Sequence, residues 1–265
     1  MSARHVRRVE VIGIGAGAPD HLTAGAADAI RRVDTFLVAD KGDAKRQLVA
    51  LREEVVRRSA GDHPHRFVTL PDPQRGPDAA RPAEAYAGAV RDWHEARTAA
   101  YAEVIAELPA DHVVGFLVWG DPAFYDSTIR VVDNLAERMP LDVRITPGIT
   151  AFQALAAAHG IVLHGVGEPV HITTGRRLVE SYSPALGTVV VMLDGHLRCA
   201  ELVERFPDLQ IHWGAQLGLP SQALDAGRLC DVIDRITSTR AEIRRRDGWV
   251  MDVYALSAPA TRPRD

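Results

Sequence analysis

Along this chain, short, mainly apolar runs alternate with stretches whose apolar residues recur at helical spacing. Residues 9–14 form the first run and close on glycines, and a helical pattern follows over residues 23–33. The run at 35–39 ends on Asp40-Lys41-Gly42, and residues 113–118 and 143–145 add two more strand-like runs, each closing on a turn. Such runs, mainly apolar though interrupted at Glu10 and Arg144, leave little polar face, so these strands are expected to be buried on both sides. Interleaved with helices, they predict an α/β fold with a parallel sheet covered on both faces. Residues 61–83 break the pattern: Pro64, Pro71, Pro73, Pro77 and Pro82 mark a long irregular connection. Connections of that length are usually functional or mobile. A long helix is expected over about 84–108, where Tyr86, Val90, Trp93, Ala100 and Val104 fall at helical spacing and Arg97 interrupts the stripe.

After Thr150 the pattern restarts. Helices are expected at 152–159 and 197–205, and strands at 170–173, 188–193, 210–213 and 249–254, the last of them antiparallel. No sequence repeat relates the two α/β halves. The boundary falls at 148–151, giving domains 1–149 and 150–265.

Composition adds limits. The chain has 265 residues, 46% hydrophobic and 25% charged, which is enough for a proper core. No apolar run is long enough to span a membrane. The basic start Met1-Ser2-Ala3-Arg4-His5-Val6-Arg7-Arg8 leads into a run broken by glycines and Asp20, so a signal peptide is not expected. A net charge of −4 with no basic block argues against a nucleic-acid partner. It leaves room for an anionic small molecule, because a few arginines create a local positive field. Cys199 and Cys230 lie far apart without metal-like neighbours and read as incidental thiols of a reducing cytoplasm. His63-Pro64-His65 lacks a third ligand, so no metal is expected.

Chemistry gathers at three strand-to-turn transitions: Gly13-Ile14-Gly15-Ala16-Gly17-Ala18-Pro19-Asp20, Trp119-Gly120-Asp121-Pro122, and Pro147-Gly148-Ile149-Thr150. Ligands of open α/β sheets bind at that edge. Alone, each turn has a plain reading. Gly13, Gly15 and Ala18 satisfy the permissive dinucleotide fingerprint, and Asp40 stands where a ribose-binding acid would. Pro19-Asp20, however, delays the helix whose N-terminus should hold the pyrophosphate, so a cleft-lining loop is the better reading. Asp121-Pro122 fits a helix start, with Gly120 letting a ligand approach the backbone and Asp121 accepting hydrogen bonds from it. Thr150 fits a helix N-cap.

Together, in this order and at these separations, the three turns resemble the tetrapyrrole (corrin and porphyrin) methylase family across nearly the whole chain. Pro19-Asp20-His21-Leu22-Thr23, Asp40-Lys41-Gly42, Asp72-Pro73-Gln74-Arg75, Tyr125-Asp126-Ser127 and His171-Ile172-Thr173-Thr174-Gly175-Arg176 are similar to its deacetylating branch, which methylates precorrin-5 at carbon 1. The resemblance implies two α/β/α domains with mostly parallel sheets and the active site in the cleft between them. S-adenosyl-L-methionine is the implied cofactor, S-adenosyl-L-homocysteine its product, and a cytoplasmic homodimer the implied assembly. By family position Gly120, Asp121, Pro122 and Tyr125 contact the cofactor, with Thr150 and Ala151 beside them and Met192 and Ala215 framing the adenine. Trp119 is expected to shape that loop. Gly15 and Gly17 would face the tetrapyrrole. Thr150 stands where many relatives have Ser.

Methyl transfer needs alignment and a dry cleft more than acid–base help. Loss of acetate needs activated water and donors for an oxyanion. His21 is the leading candidate base, with Asp20, Asp40 and Tyr125 behind it. The acceptor's carboxylates call for forked donors, for which Lys41, Lys45, Arg46, Arg75, Arg97, Arg130 and Arg176 are candidates. Three alternatives stay open: a sibling corrin methylase, an NAD-dependent dehydrogenase using the first glycine loop, and a non-catalytic tetrapyrrole carrier.

Overall fold

The computed structural model describes residues 6–40, 46–73 and 83–259. The chain divides into two compact units, one of Met1–Gly15 and Pro19–Ile149, the other of Ala16–Ala18 and Thr150–Asp265.

The first unit is built on five parallel strands: β1 (Arg7–Gly13), β2 (Thr35–Asp40), β3 (Arg66–Pro71), β4 (Val114–Val118) and β5 (Leu141–Thr146), in the order β3-β2-β4-β1-β5. Parallel neighbours need crossover helices. These are α1 (Ala24–Ile30), α2 (Arg46–Ser59), α3 (Ala83–Glu107) and α4 (Thr128–Ala136). Successive side chains of a strand face opposite ways. Val9 and Val11 of β1 and Val114, Phe116 and Val118 of β4 therefore pack with Tyr101 and Ile105 of α3 and Val131 and Leu135 of α4. Ile12 and Leu117 pack on the other face with Ile30 of α1 and Val55 and Val56 of α2. β4 is buried throughout and β1 from Val9 onward, as their apolar runs predict, with Glu10 the one buried carboxylate in β1.

Three expectations are corrected. The proline-rich stretch 61–83 contains strand β3, because Pro71 closes an edge strand and costs the ladder no central hydrogen bond. The buried face of α3 is centred on His94, Thr98, Tyr101 and Ile105, one position along from Trp93, Ala100 and Val104, of which Ala100 and Val104 pack at its margin. Residues Arg198–Leu202 wind as a 3-10 turn in place of the longer helix.

The second unit carries β6 (Val170–Thr174), β7 (Thr188–Met192), β8 (Gln210–Ala215), β9 (Ala223–Arg228) and β10 (Asp252–Ser257), in the order β6-β7-β10-β8-β9. Only β6 and β7 pair in parallel; β10 lies antiparallel between β7 and β8, and β9 antiparallel to β8. This sheet is thus mixed and mostly antiparallel. Helix α5 (Ala151–His159) covers one face through Ala154 and Leu155. Helices α6 (Gly175–Ser181) and α7 (Leu229–Asp247) cover the other through Leu178, Val232 and Ile236.

One charged side chain crosses that second core. Arg240 of α7 donates from Nε to Asp252 Oδ2 at 2.8 Å, from Nη1 to Gly195 O at 2.9 Å and from Nη2 to Asp194 O at 3.0 Å. Trp213 Nε1 donates to the same Asp252 oxygen at 3.0 Å, and Tyr254 OH donates to Asp194 Oδ2 at 2.6 Å. Burial pushes the Cys199 thiol beside them up to about 12, so it stays protonated and chemically quiet. The network ties the turn after β7 to β10 and α7.

At the C-terminal edge of the first sheet, three strand exits crowd together. Ile14 N–H donates to Val118 O at 2.9 Å, and Gly15 and Gly120 exchange backbone hydrogen bonds at 3.3 and 2.8 Å. A Cβ placed on Gly148 would lie 2.1 Å from Gly120 O and 2.8 Å from the Gly13 carbonyl carbon. The Asp121 carboxylate closes the arrangement: Oδ2 accepts from Gly148 N–H at 2.9 Å and Oδ1 from Ala123 N–H at 2.8 Å.

Gly148→Ala is expected to cost about 1–3 kcal/mol, the usual range for overpacking, read from urea unfolding. Asp252→Ala strands the Arg240 charge inside the second unit and is expected to cost about 3–5 kcal/mol in the same assay. A loss under about 1 kcal/mol at either position would contradict the packing described.

Candidate active site

The glycine-rich turn leaves β1 through Gly15, whose φ of +78° suits glycine, and a Cβ there would sit 2.5 Å from the His21 Cβ. Gly15 is thus small so that the 3-10 turn Pro19–His21 can fold back on it. His21 is half-buried, and its Nδ1 is a buried atom without a hydrogen-bond partner among the described residues. Asp20 beside it is exposed. Helix α1 begins only at Ala24, where the Thr23 side chain accepts from Ala26 N–H at 3.1 Å. The turn therefore does not lead directly into a helix N-terminus, as a dinucleotide loop would.

The turn after β4 carries Gly120 at φ +68°, Asp121, the buried Pro122, and Tyr125. Each oxygen of Asp121 already accepts one backbone N–H, so its first duty is to brace the strand exits; each oxygen keeps a second lone pair. Tyr125 is 44% exposed yet holds φ +51°, a strained backbone for a non-glycine residue. Partial burial raises its phenol above the ordinary tyrosine range.

Within the second unit, Thr150 caps α5 in a capping box. Its Oγ1 accepts from Gln153 N–H at 3.3 Å and donates to Gln153 Oε1, which also accepts from Thr150 N–H at 2.9 Å. Ala151 opens the helix behind it. Met192 and Ala215 end β7 and β8, which run the same way on either side of β10, so both emerge at one edge of this sheet. Each is followed by a non-glycine residue in left-handed backbone: Leu193 at φ +54°, 66% exposed, and the fully buried Gln216 at φ +51°. Gln216 is held by Met251 N–H at 3.0 Å and by its own bond to Asp247 at 3.2 Å. Strain of this kind gathers at ligand sites. It has no signature in a single sequence, and the sequence reading did not name either residue. Gly17 lies in the same unit, where a Cβ would meet Leu217 O at 3.0 Å.

The basic residues expected to meet carboxylates stand in different surroundings. Arg97 is committed inside the protein: Nε donates to Asp72 Oδ1 at 2.7 Å, and the guanidinium stacks 4.2 Å from the Trp93 ring. Both partners of that ion pair are about nine-tenths buried, so Arg97 braces α3 against the end of β3. Arg130 is exposed on α4, facing a groove shared with Arg91 and Glu95 of α3. Arg176 is exposed in the first turn of α6. Asp40 ends β2 and is exposed, its carbonyl accepting from Asp72 N–H at 2.9 Å. Lys41, Lys45 and Arg75, and the side chain of Arg46, lie outside the described residues. Sequence reasoning missed Arg52 of α2, whose guanidinium lies 5.0 Å from the centre of the Trp119 ring. The available signal was its place in the helix, three and four residues before the buried Val55 and Val56.

Among the described residues there is no group of three or more His, Cys, Asp or Glu side chains able to hold a metal, and no helix long and apolar enough to cross a membrane.

Comparison with known proteins assigns this arrangement to a family. The family model of tetrapyrrole (corrin/porphyrin) methylases matches residues 8–232. The chain is 40% identical over 259 residues to precorrin-6A synthase (deacetylating) of Sinorhizobium sp, covering 97% of each chain. It is 28% identical over 163 residues to precorrin-2 C(20)-methyltransferase of Sinorhizobium sp, 62% of each. Among solved structures, a cobalamin synthesis related protein (CobF) of Corynebacterium diphtheriae matches with TM-score 0.79 at 35% identity, over 96% of this chain and 99% of that one. A uroporphyrin-III C-methyl transferase of Thermus thermophilus, solved in complex with S-adenosyl homocysteine, shares the fold at TM-score 0.56 and 18% identity, over 94% and 97%. The dehydrogenase reading of the first glycine turn and the separate carrier reading give way to that assignment, and the chain belongs to the tetrapyrrole methylases.

Proposed function

We propose that this protein methylates precorrin-5 at carbon 1 and releases the neighbouring acetyl group as acetate, giving precorrin-6A. The observation that carries the reading is the 40% identity to precorrin-6A synthase (deacetylating) along 97% of both chains, with all three turn motifs intact. S-adenosyl-L-methionine supplies an electrophilic methyl group on a sulfonium, so the new carbon–carbon bond forms as the carbon–sulfur bond breaks. The chain's residues fit such a molecule. Met192, Leu193 and the fully buried Ala215 give an apolar edge suited to an adenine, and Gly120 leaves its backbone open to close approach. Pro122, Thr150 and Ala151 complete the cofactor set in this reading. Asp121 acts chiefly by fixing its own turn through Ala123 N–H and the Gly148 backbone through its two accepted hydrogen bonds.

Acetate loss is a hydrolysis: water adds to the acetyl carbonyl, the bond to the macrocycle breaks, and its electron pair passes into the conjugated ring. His21 is assigned to take the proton from that water, with Asp20, Asp40 and Tyr125 placed behind it. A buried Nδ1 without a hydrogen-bond partner among the described residues supports this, since an unanswered polar atom calls for a partner. Gly15, Gly17, Asp40, Lys41, Arg75, Arg130 and Arg176 remain the proposed substrate contacts, whereas Arg97 serves through its brace to Asp72. A cytoplasmic homodimer completes the reading. The exposed Val143 and Ile145 on edge strand β5 support the dimer, and light scattering would test it.

Incubation with anaerobically generated precorrin-5 and methyl-labelled S-adenosyl-L-methionine should give labelled tetrapyrrole and equimolar acetate by mass spectrometry. Methylation without acetate would indicate a sibling reaction. His21→Ala is expected to bind S-adenosyl-L-homocysteine normally and to lose acetate release by about 100-fold, the lower end of what a general base contributes. Undiminished turnover would remove His21 from that role.

A further inference from the structure

We propose that Arg52 and Trp119 form a carboxylate subsite that takes one acidic side arm of the tetrapyrrole, an inference that rests on the function proposed above. Helix α2 shows why Arg52 is unusual. Its outer arginines are ion-paired on the surface: Arg57 and Arg58 meet Glu54 at 2.6 and 3.0 Å. Arg52 instead shares the side of the helix that buries Val55 and Val56, and no carboxylate pairs with it among the described residues. Its internal hydrogen bonds are a long one from Nε to Leu117 O at 3.4 Å and one from Nη1 to Leu48 O at 3.1 Å. A guanidinium carries five N–H donors, and both on Nη2 are left without an acceptor among the described residues.

The residue stacked against it has the same deficit. The Trp119 indole lies 5.0 Å from the Arg52 guanidinium, and its Nε1 is a buried donor with no partner among the described residues. Two unsatisfied donor groups in contact, one of them cationic, call for a single anionic acceptor. A carboxylate suits both, with two oxygens for the guanidinium fork and a lone pair to spare for an indole N–H.

The electrostatics agree. Burial lowers Arg52 to about 10, opposed in part by Asp126, so the group remains a cation at neutral pH. Asp126 itself accepts Thr128 N–H at 2.7 Å, and Asp72 is held by Arg97. The position agrees as well. Trp119 directly follows β4 at the C-terminal edge of the parallel sheet, where ligands bind. It packs on the same apolar cluster as Leu22, the neighbour of His21.

Uroporphyrin III, a stable tetrapyrrole with acetate and propionate arms, serves as the probe, with its binding measured by calorimetry beside that of S-adenosyl-L-homocysteine. Arg52→Met should weaken porphyrin binding by about tenfold or more, and Arg52→Lys should recover only part, because an ammonium lacks the fork. Trp119→Phe keeps an aromatic face and removes the N–H, so it should weaken porphyrin binding severalfold. Homocysteine-cofactor binding should be unchanged in Arg52→Met, and its Tm should hold or rise, since an unpaired partly buried charge is replaced by an apolar chain. Unchanged porphyrin binding in both Arg52→Met and Trp119→Phe would overturn the subsite, as would a fall in Tm as the sole effect of Arg52→Met. Wild-type protein that binds the cofactor product but no porphyrin would also overturn it. Wild-type protein that binds neither would overturn the proposed function itself.

Discussion

The first unit depends on three backbones that pass each other too closely for any side chain. Where β1, β4 and β5 end, Gly13 and Gly148 approach each other and the Gly120 carbonyl so that a Cβ on either would fall within 3 Å of neighbouring backbone. Such closeness leaves amides and carbonyls crowded away from water, and each needs a partner. The Asp121 carboxylate provides the one for Gly148 N–H and, through Ala123 N–H, holds its own turn in place. A charged acceptor makes stronger hydrogen bonds than a neutral one, so the brace is stiff as well as complete. Everything that gives this edge its chemistry hangs from the brace: the turn carrying His21, the strained Tyr125, and Trp119. A motif that looks like a set of ligand contacts is, at this level, the hardware that holds three loops still.

The second unit reaches the same end by other means. The exits of β7 and β8 are strained. Leu193 and Gln216 hold left-handed backbone without being glycine, which costs on the order of 1–2 kcal/mol each. Interior bonds over-determine the conformation. Arg240 holds the carbonyls of Asp194 and Gly195, Tyr254 holds the Asp194 carboxylate, and Met251 holds the Gln216 amide. Buried ion pairs are poor sources of net stability, but they specify one geometry against its neighbours. Here the geometry specified is that of the turn after β7.

The sequence displayed some of this and hid the rest for physical reasons. Strand β4 was legible because burial on both faces leaves nothing polar in residues 114–118. Strand β3 was hidden because an edge strand tolerates Pro71 and exposed polar residues. Helices α2 and α7 were not read: each buries a narrow stripe, and Arg52 or Arg240 sits on it where a hydrophobic residue would have announced the helix. In α3 the stripe was placed one residue off because Thr98 and His94 are buried while Trp93 is only half so. Burial of polar side chains cannot be seen in a hydropathy pattern. The three turn motifs, by contrast, were legible because glycine at a close approach and threonine at an N-cap are nearly forced by geometry.

The arginines show where that legibility stops. Arg97 and Arg52 are indistinguishable as letters, and a sequence reader looking for carboxylate binders has reason to choose the one breaking an apolar stripe. The structure reverses the choice by asking what each guanidinium already holds. Arg97 has Asp72 at 2.7 Å and an indole face, so its charge is answered inside the protein and its removal would be felt as packing. Arg52 has two carbonyls, one of them distant, and an indole whose own donor is unanswered. A cation brought partly out of water with no carboxylate in hydrogen-bond contact costs folding free energy, which the anion proposed for Arg52 would offset. The discriminating quantity is therefore the number of donors left over after the fold has satisfied itself, which no one-dimensional pattern contains.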